Sequence, residues 1–288
     1  MAVSMDARDR ETAPEMAARF NLRRKRPNEW RGACPCCGYA AAFVVTSKGG
    51  NALFWCANGC ARESLLAVVF GDSPSASVVP QPSPSGPDRS ELVRKLWQAT
   101  KPARGSIVET YLATRGLSLP SSDALRFDPA ALHPDKSRLP AMRAIVRDIA
   151  GRIVALHSTF LLADGRGKAD ADPARTTLGR TRGAAVRLFP ISERLILAEG
   201  IETALAAAEL LKAPAWAALN AGNLADTVVP PRGVREIIVA VDNDFPGRRA
   251  ANKAVSRLRR MGFAVKVALP DAPGDDFNDV LKHRRQVP

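Results

Sequence analysis

The sequence predicts an α/β fold: a parallel-sheet domain at the C-terminal end, preceded by a basic α+β subdomain and a small cysteine-built module. Three observations carry this. Two apolar runs, Arg194-Leu-Ile-Leu-Ala-Glu199 and Glu236-Ile-Ile-Val-Ala-Val-Asp242, are each followed by a helix-length stretch, Ile201 to Lys212 and Gly247 to Met261. That is the form of buried parallel strands in βα units. All five cysteines fall between Cys34 and Cys60, and a Pro/Ser-rich stretch separates them from everything downstream.

The boundaries follow from composition. Residues 1–71 form the N-terminal module, 72–90 the linker, 91–192 the basic subdomain and 193–288 the parallel-sheet domain. In the module, Cys34-Pro-Cys36-Cys37-Gly38 and Cys56-Ala-Asn-Gly-Cys60 make two short knuckles. Tetrahedral Zn²⁺ takes four soft ligands, and two per tight turn is the usual way to supply them. Cys34, Cys37, Cys56 and Cys60 are therefore the expected ligands of a structural Zn²⁺. Cys36 cannot readily join its neighbour Cys37 and is read as a spare thiol or as a residue supporting the ligands from behind. Between the knuckles, Ala42 to Thr46 and Ala52 to Trp55 predict a hairpin around Lys48-Gly-Gly-Asn51. Trp55 is read as part of a minimal core, with stacking on a base as the alternative. The linker's prolines make it extended and semi-stiff.

The segment from Glu91 to Ser192 holds 17 Lys+Arg against 9 Asp+Glu, more than half of the chain's net charge of +13. Helices are expected over Glu91 to Ala99 and over Ile107 to Thr114, the second closed by Arg115-Gly116. Ala144 to Val146 and Ile153 to Phe160 read as strands, with His157 a structural residue. Gly165-Arg-Gly-Lys168, Arg175-Thr-Thr-Leu-Gly179 and Gly183-Ala-Ala-Val-Arg187 combine glycines, which let backbone approach phosphate, with cations. Lys168, Arg175 and Arg187 are the candidate phosphate-binding residues. The G-x₄-G-K-[S/T] loop of a nucleotide-driven motor is absent.

In parallel sheets ligands bind beyond the carboxyl ends of the strands, where Glu199, Asp242 and Asp244 fall. Asp242 and Asp244 are two residues apart and point the same way on an extended backbone. Converging carboxylates raise one another's pKa unless a cation relieves them, and an all-oxygen set suits Mg²⁺ or Mn²⁺.

A Glu-Gly at one strand end, Asp242-Asn-Asp244 at another and Pro273-Gly-Asp-Asp-Phe-Asn-Asp-Val-Leu281 beyond resemble the Toprim domain shared by bacterial-type primases, topoisomerases and some nucleases. The resemblance runs from about Arg194 to His283 and implies that Asp276 completes the acidic set. It also implies that Glu199 is a general base or a further metal ligand. Two positions depart from the replicative-primase pattern: Thr203 stands where an acid is usual, with Glu202 one place earlier, and Asn278 replaces a common carboxylate. Trp30-Arg-Gly-Ala-Cys-Pro35 and Phe54-Trp-Cys-Ala-Asn-Gly-Cys60 resemble the zinc ribbon at the front of phage and plasmid primases. The basic middle is similar, more weakly, to the subdomain that precedes Toprim in replicative primases.

Taken together, the resemblances imply a metal-dependent DNA primase of phage, plasmid or mobile-element type. Its partners would be a single-stranded DNA template, nucleoside triphosphates and a separate replicative helicase. The alternatives are a Toprim nuclease and a non-catalytic zinc-containing DNA-binding factor. A topoisomerase is disfavoured by length and by a tyrosine complement of only Tyr39 and Tyr111. A sequence pI near 10.1 fits a polyanionic partner. The absence of any apolar run of about 18 residues and the charged start from Met1 to Glu15 lead to the expectation of a cytoplasmic protein without a membrane partner.

Overall fold

The computed structural model describes residues 11–36, 38, 42–49, 51–57, 60, 62–70, 89–272 and 274–286. It divides into two compact units, residues 1–83 and 84–288. Cys37 and residues 72–88 of the expected linker lie outside the described residues.

In the first unit, α1 (Ala13–Arg19) opens on a reciprocal cap between Thr12 and Glu15. Strands β1 (Arg23–Arg26), β2 (Glu29–Gly32), β3 (Phe43–Lys48) and β4 (Asn51–Cys56) follow, and then α2 (Arg62–Phe70). The four strands form one sheet in chain order. The expected hairpin is β3–β4, closed by the Lys48↔Asn51 pair. Alternation along β4 turns Ala52, Phe54 and Cys56 inward onto Met16, Phe43, Val45 and Leu65. Trp55 has the opposite parity, is half-buried on the other face and does not join this core, contrary to expectation. β1 exposes Arg23, Arg24, Lys25 and Arg26.

The second unit begins with α3 (Ser90–Gln98), β5 (Lys101–Pro102) and α4 (Ile107–Thr114). Gly116, at φ +70°, follows the Arg115 C-cap of α4 in the left-handed conformation that glycine tolerates. Then come β6 (Leu125–Leu132), β7 (Arg138–Arg147), β8 (Ile153–Phe160), β9 (Arg175–Gly179) and β10 (Ala185–Arg187). The remaining elements are β11 (Arg194–Ala198), α5 (Ile201–Leu211), β12 (Ala215–Ala217), α6 (Ala221–Asp226), β13 (Glu236–Ala240), α7 (Phe245–Arg260), β14 (Ala264–Ala268) and α8 (Phe277–Gln286).

A ten-stranded sheet runs in the order β14-β13-β11-β12-β10-β7-β6-β5, with β8 paired to β7 and β9 to β8. β14, β13, β11 and β12 are parallel. β10 is antiparallel to both β12 and β7. The sheet thus passes unbroken through the boundary expected at 192/193. Ile196, Ala198, Ile238 and Ala240 face a core with Leu112 of α4, Ala204 of α5 and Phe277 of α8. Leu195, Leu197, Ile237 and Val239 face Leu224 of α6 and Ala254 and Leu258 of α7. Both faces are covered, which is why these strands read as continuous apolar runs. No helix among the described residues is long and apolar enough to cross a membrane.

Candidate functional site

β11 and β13 are adjacent and in register to their last pair, Ala198↔Ala240, so Glu199 and Asp242 leave the sheet at one edge. Gly200 caps α5 without a side chain, and its nearest neighbour in the space a Cβ would take is Thr203 Oγ1 at 3.4 Å. Asp242 keeps the parity of Ile238 and Ala240 and so faces α5, where the Thr203 hydroxyl donates to Oδ1 at 3.4 Å. Its carboxyl is pushed up to about 6 by burial, then by the charges of Asp276 and Asp244, with Thr203 opposing and Asp279 adding to the rise.

Asp244 does not simply lie alongside Asp242. It is the N-cap of α7, its Oδ1 accepting from Gly247 N at 2.7 Å. A Cβ on Gly247 would stand 2.5 Å from the Asp242 carbonyl oxygen and 2.8 Å from Asp244 Oδ1, so this turn admits only glycine without a shift. Asp276 plays the same part for α8, accepting from Asn278 N at 2.7 Å and Asp279 N at 3.0 Å. A cap uses one carboxylate oxygen and leaves the other for a cation.

Asn243, between the two acids, is the residue that sequence reasoning passed over. Buried, it donates through Nδ2 to Pro270 O at 2.7 Å and through its backbone N–H to Asp275 O at 3.1 Å, while its carbonyl accepts from Gly274 N at 2.9 Å. These bonds tie the 270–275 loop to the end of β13 and set Asp276 beside Asp242. A polar residue enclosed within an Asp-x-Asp was the available signal.

The acids have not closed into a tight cage. Among the described residues, the one set of three or more ligating groups with donor atoms within 4.8 Å of one another is Cys34, Cys56 and Cys60. The donor set at the strand ends is nevertheless all-oxygen, and its mutual repulsion on Asp242 is what a hard divalent cation relieves. The cysteines fit zinc closely. Cys34 Sγ and Cys60 Sγ are 3.9 Å apart, against about 3.8 Å for two thiolates on a tetrahedral ion with Zn–S of about 2.3 Å. The Gly38 N–H to Cys34 O bond of 2.7 Å closes the first knuckle. Cys36 packs at the edge of the module's core.

The basic candidates separate into two groups. Lys168 Nζ is 3.1 Å from Glu202 Oε1, and the Tyr111 hydroxyl donates to the same oxygen at 2.7 Å. Burial would raise the Glu202 carboxyl, but Lys168, the Tyr111 bond and Arg175 together hold it down at about 2. Lys168 and Arg175 therefore stand by the first turn of α5, a few residues from Glu199. His157 is buried, bonded to Thr177 Oγ1 at 2.8 Å and pushed down to about 4 chiefly by burial. Arg187 is elsewhere: its guanidinium lies 4.5 Å over the Trp216 ring and donates to the carbonyls of Asp148 and Ile149.

Two family profiles match the chain. One, described as the Toprim domain, covers residues 194–286, the span that carries the acids. Residues 194–286 are a Toprim domain. The other, described as a domain of unknown function (DUF7146), covers residues 87–188. The chain is also similar to several solved primase structures. A DNA primase domain from Pseudomonas aeruginosa is 17% identical over 67% of this chain and 74% of its own, with a TM-score of 0.46. The zinc-binding and RNA polymerase domains of the Aquifex aeolicus primase are 14% identical over 95% of this chain and 80% of that one, at 0.45. The primase fragment of the bacteriophage T7 primase-helicase is 17% identical over 90% and 96%, at 0.41. No curated protein sequence matches. The Toprim domain thus has the expected parallel-sheet α/β fold, with an antiparallel α+β region and a cysteine cluster ahead of it.

Proposed function

We propose that this chain is a primase-type nucleotidyl transferase that joins nucleotides into a short RNA on a single-stranded DNA template. The observation that carries the reading is Asp242, half-buried at the end of a Toprim strand and pushed up to about 6 by burial and by Asp276 and Asp244. A fold seldom keeps such repulsion unless a cation uses it. Asp242 and the uncapped oxygens of Asp244 and Asp276 would hold Mg²⁺ or Mn²⁺. Bound there, the cation supplies charge neutralisation for an in-line displacement in which a 3′ oxygen attacks the α-phosphorus and pyrophosphate leaves.

Lys168, held by Glu202, and Arg175 would meet the nucleotide phosphates, and Glu199 would be either the general base or a further metal ligand. The cysteine module would carry one structural Zn²⁺ and help select the template, and a replicative helicase would be a separate chain. Replication of a phage, plasmid or other mobile element is the proposed setting. The test is incubation with single-stranded DNA, Mg²⁺ or Mn²⁺ and labelled nucleoside triphosphates. Template-dependent oligomers support the proposal. Shortened template without oligomers would replace it with a Toprim nuclease, and DNA binding without either product with a non-catalytic factor.

A further inference from the structure

The helix that leaves the acidic site carries a pattern that the catalytic reading does not use. α7 begins directly after Asp244 and runs Phe-Pro-Gly-Arg-Arg-Ala-Ala-Asn-Lys-Ala-Val-Ser-Arg-Leu-Arg-Arg, without one acidic residue. At 3.6 residues per turn, positions 245, 249, 253, 256 and 260 fall within an arc of about 80°. They are Phe245, Arg249, Lys253, Ser256 and Arg260, all exposed, with Arg248 and Arg259 exposed on one flank. The opposite face, Ala250, Ala251, Ala254 and Leu258, is buried.

Three features set this stripe apart from an ordinary solvated helix face. Phe245 is 72% exposed, the most open of the large apolar side chains among the described residues, and it stands at the first helical position beside the capping Asp244. Arg248 and Arg249 sit near the N-terminal end, where the helix dipole disfavours cations. Asn252, Lys253, Ser256 and Arg260 also border a cavity of about 580 Å³ with Asp226 and Arg257, giving the stripe a concave flank.

We infer that this face of α7 is a track for single-stranded nucleic acid, with one base stacked on Phe245 and the backbone phosphates following Arg249, Lys253 and Arg260. A cationic path combined with an exposed aromatic is the chemistry by which single strands are held without sequence preference. The stripe spans about 22 Å at 1.5 Å per residue, long enough for several nucleotides. Phe245 selects the single strand over a duplex, whose bases are already stacked. An anionic membrane fits less well, because the apolar side of α7 is buried against the sheet and interfacial helices need theirs in the lipid. The inference rests on the proposed reading for which strand this is: the track starts at Asp244, so the strand it holds enters or leaves the acidic site.

The test uses the full chain and fluorescence anisotropy with a labelled oligothymidylate, without added Mg²⁺ or Mn²⁺, over a range of salt. Phe245→Ala should weaken binding about tenfold and leave the salt slope unchanged. Replacing Arg249, Lys253 and Arg260 together by Gln, which is as good a helix former, should make the slope of log K against log salt shallower by about 2, at about 0.7 per lost phosphate contact. Circular dichroism checks that both variants are folded. Wild-type affinity and slope in both variants overturn the inference, as does a loss confined to duplex DNA or to anionic phosphatidylserine vesicles. Failure of the catalytic reading has a different signature: wild-type protein that makes no oligomers but shows both α7 effects retains the track and loses the polymerase.

Discussion

Replacing Asp242 by Asn should stabilise the metal-free protein while removing its chemistry. Asp242 is raised from 3.8 to about 6 in the folded chain, first by burial and then by Asp276 and Asp244. That rise corresponds to at most about 3 kcal/mol, and screening at a half-buried carboxylate reduces it to roughly 1–2 kcal/mol. The sign follows from linkage. Above about pH 6 the group is ionised in both states, and folding carries the full penalty. Below its unfolded value near 3.8 it is protonated in both, and the penalty is gone. Wild-type stability attributable to Asp242 therefore falls as pH rises between these values. The amide that replaces the carboxylate keeps the shape without the charge.

Without added divalent cation at pH 7.5 the Asp242→Asn variant should melt about 3–6 °C above wild type, at roughly 3 °C per kcal/mol for a unit of this size. The gap should close as the pH is lowered towards 4. Adding Mg²⁺ should raise the wild-type melting temperature and leave the variant nearly unmoved. Thermal melts followed by circular dichroism across pH, with and without Mg²⁺, read all three. A variant less stable than wild type at pH 7.5, or a gap independent of pH, would refute the reasoning from clustered charge.

Further outcomes follow from other parts of the molecule. Purified protein should carry about one Zn²⁺ per chain by elemental analysis; Cys36→Ser should retain it and Cys37→Ser should lose most of it, and equal loss in both would contradict the ligand assignment. Gly247→Ala should lower Mg²⁺ affinity in calorimetry far more than Gly200→Ala, because its Cβ meets backbone at 2.5 Å whereas that of Gly200 meets only a side-chain oxygen at 3.4 Å; equal affinities would show that the turn adapts. Glu202→Gln leaves the half-buried Lys168 without its counter-ion and should cost roughly 1–3 kcal/mol in denaturant unfolding; a cost below about 0.5 kcal/mol would mean that the pair is solvated in solution.

The strands that carry the acids were legible because a sheet covered on both faces demands uninterrupted apolar residues, and Leu195 to Ala198 and Ile237 to Val241 supply them. Glu199 and Asp242 follow from that reading, since the residue after a buried parallel strand emerges at the ligand-binding edge. β12 was not legible: Ala215–Ala217 is too short to show a period. Nor was the use of Asp244 and Asp276 as helix caps, because a carboxylate before a helix reads equally as a cap or as a ligand. The pairing of Glu202 with Lys168 and Tyr111 joins segments far apart in the chain, and no local pattern announces it. It gives Glu202, displaced by one place from the usual acidic position, a charge partner of its own, while Thr203 takes up the contact with Asp242. Arg187, singled out for its charge, is engaged with an indole ring and two carbonyls that sequence could not foresee.

The central claim is that the Toprim acids join nucleotides on a DNA template. The direct measurement is synthesis of labelled oligoribonucleotides on single-stranded DNA with Mg²⁺ or Mn²⁺ by wild type and by Glu199→Gln, Asp242→Asn and Asp244→Asn, each checked for folding and DNA binding. The account predicts oligomers from wild type and a loss of two or more orders of magnitude in all three variants with DNA binding kept. Oligomer synthesis at the wild-type rate by all three, or none from wild type with either metal, would contradict it.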